Sequence, residues 1–358
     1  MKGKCKVAVA GGAGDWGRYY LRAYNLHPEC EIIALVDTAR DRRKVFAEHY
    51  GIKREYDRID DLLKDDIPDI VTAALPVSAA YDAVIACAEA GVPVITCEKP
   101  ISENLAKADK MVDVCKKRGS AFSCGTALYE VDHLKEIGKW VREGNIGTII
   151  EAAVPSGIHQ QISGLGCVLM SFLRFASGLE AQSVTGWTIP DKAAFSPEDC
   201  GAYGTITLTG GVPCTLPGPE ANLHKLTFTT ISGTNGHLWL NRPHATLVQG
   251  RGITASPVYP EFFTKFSKGP AKEMFLPLVN DLVECFKSGK EAPCSGHDYR
   301  QALEIAIALK LSARENHREI TLPLKDRDIT LNPIPYRLLG GDVTGWEAIN
   351  QKTPSIVE

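Results

Sequence analysis

Over the first 125 residues, short β-branched or apolar runs alternate with stretches of helical period. The pattern predicts strands at Cys5–Ala10, Glu31–Val36, Asp69–Ala74, Val92–Cys97 and Ala121–Cys124. Helices are predicted near Trp16–Asn25, Arg40–Tyr50, Ser78–Ala90 and Asn104–Lys117. Strands separated by covering helices run parallel through right-handed crossovers. Residues 1–125 are therefore expected to form an α/β, doubly wound parallel sheet of Rossmann type, with a ligand crevice at the carboxyl ends of its strands.

After Gly125 the rhythm changes. A helix is predicted from about Glu130 to Glu143, a strand at Thr148–Val154 and a helix at Ile162–Ala176. Ala202–Leu208, Lys225–Ile231 and His237–Leu240 then alternate as antiparallel strands do, with turns at Thr209-Gly210-Gly211 and Gly233-Thr234-Asn235-Gly236. Residues 126–325 read as a second, α+β domain. Within it, Phe275, Leu278, Val279, Leu282, Val283 and Phe286 keep helical spacing, and Asp298–Arg314 carries a broad apolar face, so both segments are expected to pack inward. Residues 326–358, with Pro333, Pro335 and Gly340-Gly341, have no period and predict an extended tail lying on a domain or on a neighbouring subunit.

Charge and composition narrow the partners. Forty basic against 43 acidic residues leave no excess positive field for a phosphate backbone, which argues against nucleic acid. Apolar stretches such as Cys167–Phe172 are far short of the roughly 20 residues of a membrane helix. The apolar start after Lys2, Lys4 and Lys6 is broken by Gly11-Gly12 too early for a signal peptide, so it is read as a strand. Eleven cysteines, an odd number with no close pairs, fit a reducing cytoplasm. Without a CxxC or HExxH, and with the histidines scattered singly, no metal site is expected.

The chemistry-bearing motif follows the first strand: Gly12-Ala13-Gly14-Asp15-Trp16-Gly17 is a GxGxxG that opens a helix. Its glycines let the backbone turn tightly and approach a pyrophosphate, whose charge the helix N-terminus stabilises. Asp37 closes the second strand twenty residues after Gly17, where a carboxylate accepts from ribose hydroxyls. A P-loop reading fails because Arg18 and Tyr19 stand where Lys and Ser/Thr are needed. Asp37 favours NAD over NADP by repelling a 2′-phosphate; Arg40, Arg42 and Arg43 would accommodate that phosphate if Asp37 turned away, but read more simply as a solvated helix face.

Cys97-Glu98-Lys99-Pro100 ends the fourth strand, and Ala74-Leu75-Pro76 ends the third. With the glycine loop and Asp37, with Ile231-Ser232-Gly233-Thr234-Asn235-Gly236, and with Ser295-Gly296-His297-Asp298, the chain resembles the Gfo/Idh/MocA family of sugar and polyol oxidoreductases. The resemblance implies a second domain with an open, mostly antiparallel sheet whose exposed face mediates homo-oligomers. It implies a cofactor held by Gly12, Gly14, Asp15, Trp16, Asp37, Thr38, Leu75, Pro76, Glu98 and Lys99. It also places Lys99 at the reacting hydroxyl or carbonyl; desolvation there favours the neutral amine, which exchanges a proton with an alcohol.

The departures from the family pattern matter as much. Gly164 and Val168 fall where an Asp and a His usually face the nicotinamide, Ala80 stands at the place of a frequent His, and Thr126-Ala127-Leu128-Tyr129 replaces an Asn-Arg-Arg-Phe-like run. His159, in the connection Gly157-Ile158-His159-Gln160-Gln161, is the leading substitute acid/base group, with Gln160 and Tyr129 as substrate contacts. An apolar wall around Val168 and Phe172 would favour glycosides. Three functions stay open at this level. One is an NAD-dependent oxidoreductase interconverting a secondary hydroxyl and a ketone on a sugar, glycoside or cyclic polyol. The others are a redox-neutral lyase or glycoside-cleaving enzyme with tightly bound NAD, and a non-catalytic nicotinamide-binding regulator.

Overall fold

A computed structural model describes residues 3–125, 131, 133–218, 227–241, 244–265 and 275–358. In chain order the elements begin with β1 (Cys5–Ala10), α1 (Gly17–Leu26), β2 (Cys30–Val36), α2 (Arg40–Tyr50), β3 (Glu55–Tyr56), α3 (Ile59–Asp65), β4 (Ile70–Ala73), α4 (Val77–Ala90), β5 (Val94–Cys97), α5 (Leu105–Arg118) and β6 (Ala121–Cys124). There follow α6 (Leu134–Arg142), β7 (Ile149–Ala153), α7 (Cys167–Ser177), β8 (Ala181–Ile189), β9 (Gly201–Leu208), β10 (Val212–Leu216), β11 (Thr227–Gly233), β12 (Gly236–Asn241), β13 (Ala245–Gln249) and β14 (Ser256–Pro257). The last are α8 (Phe275–Ser288), α9 (Gly296–Arg314), β15 (Ile320–Thr321), α10 (Pro335–Leu339) and α11 (Gly341–Thr344).

The chain divides into two compact units: Met1–Thr126 with Gly269–His297 and Ile334–Glu358, and Ala127–Lys268 with Asp298–Pro333. The first is built on a six-stranded parallel sheet of order β3-β2-β1-β4-β5-β6, the doubly wound sheet expected from the alternating pattern. Val7, Ala8 and Val9 of β1 have no exposed surface, because a central parallel strand is covered on both faces. The strand order reverses between β1 and β4, and the glycine loop leaves β1 at this switch point.

Two expectations about the later chain are corrected. α8 belongs to the first unit and not to a domain spanning 126–325: its Phe275 ring stacks on Tyr19 at 5.4 Å, meets Tyr20 edge-on at 4.8 Å and lies 5.9 Å from Trp16, all on or before α1. Just beyond it, the Cys124 amide donates to Cys294 O at 2.9 Å, so this segment borders β6. The C-terminal segment from Ile334 lies on the first unit, as a tail on a domain would, but it is not extended throughout. From Ile334 onward it folds as α10, α11 and a 3-10 turn at Trp346–Ile349, fixed to the first unit by Arg18 Nη1 donating to Ser355 O at 2.9 Å.

The second unit holds a nine-stranded sheet, β14-β13-β12-β11-β7-β10-β9-β8-β15, antiparallel except where β7 runs parallel to β10. The hairpin between β11 and β12 turns through Thr234-Asn235 as the sequence predicts. β8 carries Gly186 in its middle. A Cβ at Gly186 would lie 2.6 Å from Leu309 O, so glycine lets α9 approach the sheet closely there.

Candidate functional site

The carboxyl ends of β1, β2, β4 and β5 open onto a cleft of about 440 Å³ within the first unit. Its wall begins at the glycine loop. Gly11 adopts φ +73°, and a Cβ there would sit 2.3 Å from Ala74 O; a Cβ at Gly17 would sit 2.0 Å from Gly11 O. Only glycine permits this turn, which brings the start of α1 beneath the loop. α1 has no side-chain cap and no acidic residue in its first turn, so its N-terminal amides and positive dipole end stay available for an anion.

Asp37 ends β2 almost fully buried. Its Oδ2 accepts from the Ala13 amide at 3.1 Å and its Oδ1 from the Ala39 amide at 2.9 Å. Burial raises its pKa above the usual carboxylate value, opposed by the Ala39 amide, Arg42 and the Ala13 amide. Arg42 and Arg43 do not form a solvated face. Arg43 is buried and its guanidinium donates to Asp57, Glu55 and the Tyr56 carbonyl. Arg42 donates from Nε to Ala13 O at 2.7 Å and from Nη2 to Asp342 Oδ2 at 2.7 Å. Only Arg40 of the three is exposed.

At the end of β5, Glu98 is buried. Its Oε1 accepts from Tyr20 O–H at 2.8 Å, while Oε2 is buried with no hydrogen-bond partner. Desolvation raises the Glu98 pKa, against the opposing pull of Lys99, Tyr20 and Arg337. Lys99 is half-buried, with Nζ 5.2 Å from the centre of the Trp16 ring and a cis peptide to Pro100. The C-terminal segment completes the wall: Tyr336 O–H and Gln351 Nε2 donate to the Asp15 carboxylate at 3.2 and 3.0 Å, joining Arg18 Nη2 at 3.1 Å. The charge of Asp15 is thus spent on these donors, although it sits in the glycine loop.

Of the residues expected to hold a cofactor, Gly14, Asp15, Trp16, Asp37, Thr38, Leu75, Pro76, Glu98 and Lys99 all line this cleft. Gly12 does not: it is buried, and a Cβ there would lie 2.3 Å from Leu35 Cδ1, so its smallness serves packing while Gly11 faces the cleft. The cleft suits a dinucleotide on its own evidence. It has a loop without room for Cβ atoms, an open helix N-terminus, a buried carboxylate at the end of β2, and an unpartnered buried oxygen on Glu98. Tyr336, Arg337 and Asp342 were not anticipated, because nothing local in a stretch without periodicity says where it packs.

The other expected residues lie in the second unit. His159 is half-buried and its Nε2 is buried with no hydrogen-bond partner; the backbone of Ile158 bridges to β9 through Ala202. Gln160 is exposed, and Tyr129 lies outside the described residues. One π turn at Ile162–Gly166 leads into α7, which places Gly164 and Val168 among buried residues. The apolar wall expected at Val168 and Phe172 is not a surface: Val168 is 5% exposed, and Phe172 has no exposed area and stacks on Phe228 at 5.2 Å. Sequence reasoning missed Asp199, whose Oδ2 accepts from Ser163 O–H at 2.6 Å and whose pKa burial raises; only proximity in the fold joins these residues. Among the described residues, no group of His, Cys, Asp and Glu is arranged to hold a metal. No helix among them is long and apolar enough to cross a membrane.

Comparison with known proteins agrees with this geometry. Residues 5–126 match the oxidoreductase family with an NAD-binding Rossmann fold, GFO_IDH_MocA. The chain is 26% identical over 329 residues to D-apiose dehydrogenase of Paraburkholderia graminis, covering 85% of this chain and 86% of that one. It is 24% identical over 327 residues to myo-inositol 2-dehydrogenase of Thermotoga maritima, covering 85% and 95%. In fold it resembles an oxidoreductase of Agrobacterium radiobacter solved with NAD+, L-tartaric acid and magnesium, at a TM-score of 0.69 and 20% identity over 89% of this chain and 98% of the other. Residues 5–126, with the glycine loop, Asp37 and Glu98-Lys99 on one cleft, are the NAD-binding Rossmann domain of the Gfo/Idh/MocA oxidoreductases, and the protein is an NAD(P)-dependent oxidoreductase.

Proposed function

We propose that this enzyme interconverts a secondary hydroxyl and a ketone on a sugar or cyclic polyol, with Lys99 as its proton-handling group. The observation that carries the reading is the position of Lys99, half-buried on the cleft wall at the end of β5, over the Trp16 ring and next to buried Glu98. Such a lysine accepts the hydroxyl proton as the carbon is oxidised, and returns it in the reverse direction. NAD, when bound, supplies the two-electron acceptor for the hydride that leaves the carbon. Glu98, Lys99 and Arg337 put a buried carboxyl, an amine and a guanidinium along this wall, a setting that orients polar ligands. The substrate class is supported by relatives that are dehydrogenases of an apiose and of an inositol.

His159, with its unpartnered Nε2, is the second proton-transfer group in this proposal, and Gln160 a substrate contact. Tyr129 is retained as a substrate contact on the sequence argument. The glycoside preference is not part of the reading, since Phe172 lies in the core. A cytoplasmic homo-oligomer is part of this reading, supported by cysteine usage and by the family resemblance.

The test follows NADH absorbance with NAD+ and a panel of pentoses, hexoses, inositols and glucosides. Lys99→Ala is expected to lower kcat by ~10²–10⁴-fold, the usual worth of a positioned acid/base group. A rate within a few-fold of the parent would remove Lys99 from the mechanism. Substrate turnover without net NADH would favour redox-neutral chemistry instead.

A further inference from the structure

The C-terminal segment does more than cover the cleft. Arg42 is the cation nearest the buried Asp37 carboxylate, with Nη2 3.9 Å from Asp37 Oδ1. Two of its three nitrogens donate elsewhere, Nε to Ala13 O and Nη2 to Asp342 Oδ2, and its guanidinium carbon lies 5.3 Å from the centre of the Trp346 ring. Asp342 is held from its other side as well, because Trp346 Nε1 donates to Asp342 Oδ1 at 3.0 Å. Residues some 300 positions apart thus form a closed arrangement of carboxylate, guanidinium and indole at the end of β2.

The position of that arrangement gives it a role. In Rossmann units the acid at the end of the second strand meets the ribose 2′-hydroxyl, and an arginine nearby receives the 2′-phosphate of NADP. Here Asp37 and Asp342 contribute two negative charges against the one positive charge of Arg42. Neighbouring cations do not alter that balance: Arg43 is bound to Asp57 and Glu55, Arg58 pairs with Asp60 at 2.9 Å, and Arg40 lies exposed on α2. A 2′-phosphate entering here meets a net negative site and a guanidinium whose Nε and Nη2 already donate to Ala13 O and Asp342.

We propose that Asp342 is a specificity-determining residue, holding Arg42 so that the cleft takes a nucleotide with a free 2′-hydroxyl and rejects one with a 2′-phosphate. The proposal rests on the cleft's role as the NAD site and adds a determinant supplied by the C-terminal segment. Without the Asp342 charge, the Nη2 edge of Arg42 is freed and the local sum rises by one.

Direct binding tests this apart from turnover. NAD+, NADP+, 5′-AMP and 2′,5′-ADP are titrated calorimetrically into the full-length protein and into Asp342→Asn, whose amide oxygen still accepts from Trp346. The ratio of NADP+ to NAD+ dissociation constants is expected to fall about tenfold in Asp342→Asn, equivalent to ~1.4 kcal/mol. The ratio for 2′,5′-ADP to 5′-AMP should fall in parallel. Asp342→Ser, which also lacks the charge, should repeat the result, and adding Arg42→Gln to Asp342→Asn should abolish the gain. An unchanged ratio in both single variants with NAD+ still bound, or a gain that survives Arg42→Gln, would overturn the proposal alone. A parent protein that binds neither dinucleotide would overturn the cofactor assignment and the proposal with it.

Discussion

Glu98 shows how one side chain carries a cost that its surroundings only partly offset. Tyr20 satisfies one carboxylate oxygen and the other has no partner, while burial raises the pKa above the ordinary 4.5 of a glutamate. The folded state therefore holds the Glu98 proton more tightly than the unfolded chain. Between the unfolded and folded pKa values the native state binds the extra proton, so the Glu98 contribution makes stability fall as pH rises through that window. Glu98→Gln keeps an oxygen for Tyr20 and cannot ionise. Its melting temperature minus that of the parent is expected to grow from pH 5 upward and to level off above the folded pKa. A difference that is flat or shrinks with pH would show that Glu98 ionises at no cost.

At the scale of elements, α8 joins the first unit because Phe275 fills the space between Tyr19, Tyr20 and Trp16 and has only 1% of its surface exposed. Phe275→Ala should cost ~3–5 kcal/mol, the range for emptying a buried phenylalanine site, and urea unfolding measures it. A loss below ~1 kcal/mol would mean that the helix is not part of this core. The helix itself was legible, since six apolar positions keep its period, but its partner was not: period tells which face is buried and not against what. The parallel strands read clearly because burial on both faces makes them continuous apolar runs, whereas β3, two residues long, has no period to read. α10 and α11, of five and four residues, are likewise too short for a helical pattern and are held by tertiary contacts such as Tyr336 to Asp15 and Asp342 to Arg42. In the site, the glycine loop, Asp37 and Glu98-Lys99 were readable because strand-end chemistry is local in sequence. The Asp342 clamp was not, because its two halves meet only once the chain has folded.

Over the whole molecule, none of the eleven cysteines is in a disulfide and all are buried. Burial pushes the thiols of Cys5, Cys30, Cys87, Cys115 and Cys214 up to about 12 and that of Cys200 up to about 11, so almost none of these is thiolate at neutral pH. Since the thiolate is the reactive form, the native protein should be nearly inert to Ellman's reagent, and labelling should wait on opening of the fold. Cys167, Cys200 and Cys214 lie in the second unit and the remaining eight in the first, which carries the nucleotide cleft. A ligand that binds only the folded first unit lowers its open population by the factor one plus ligand concentration over Kd. NAD+ at a hundredfold excess over its Kd is thus expected to slow labelling of the first-unit thiols by ~100-fold, followed by mass spectrometry of labelled peptides. Rapid labelling of several first-unit thiols in the native protein, unaffected by NAD+, would show that these cysteines are reached without opening the core that surrounds the cleft.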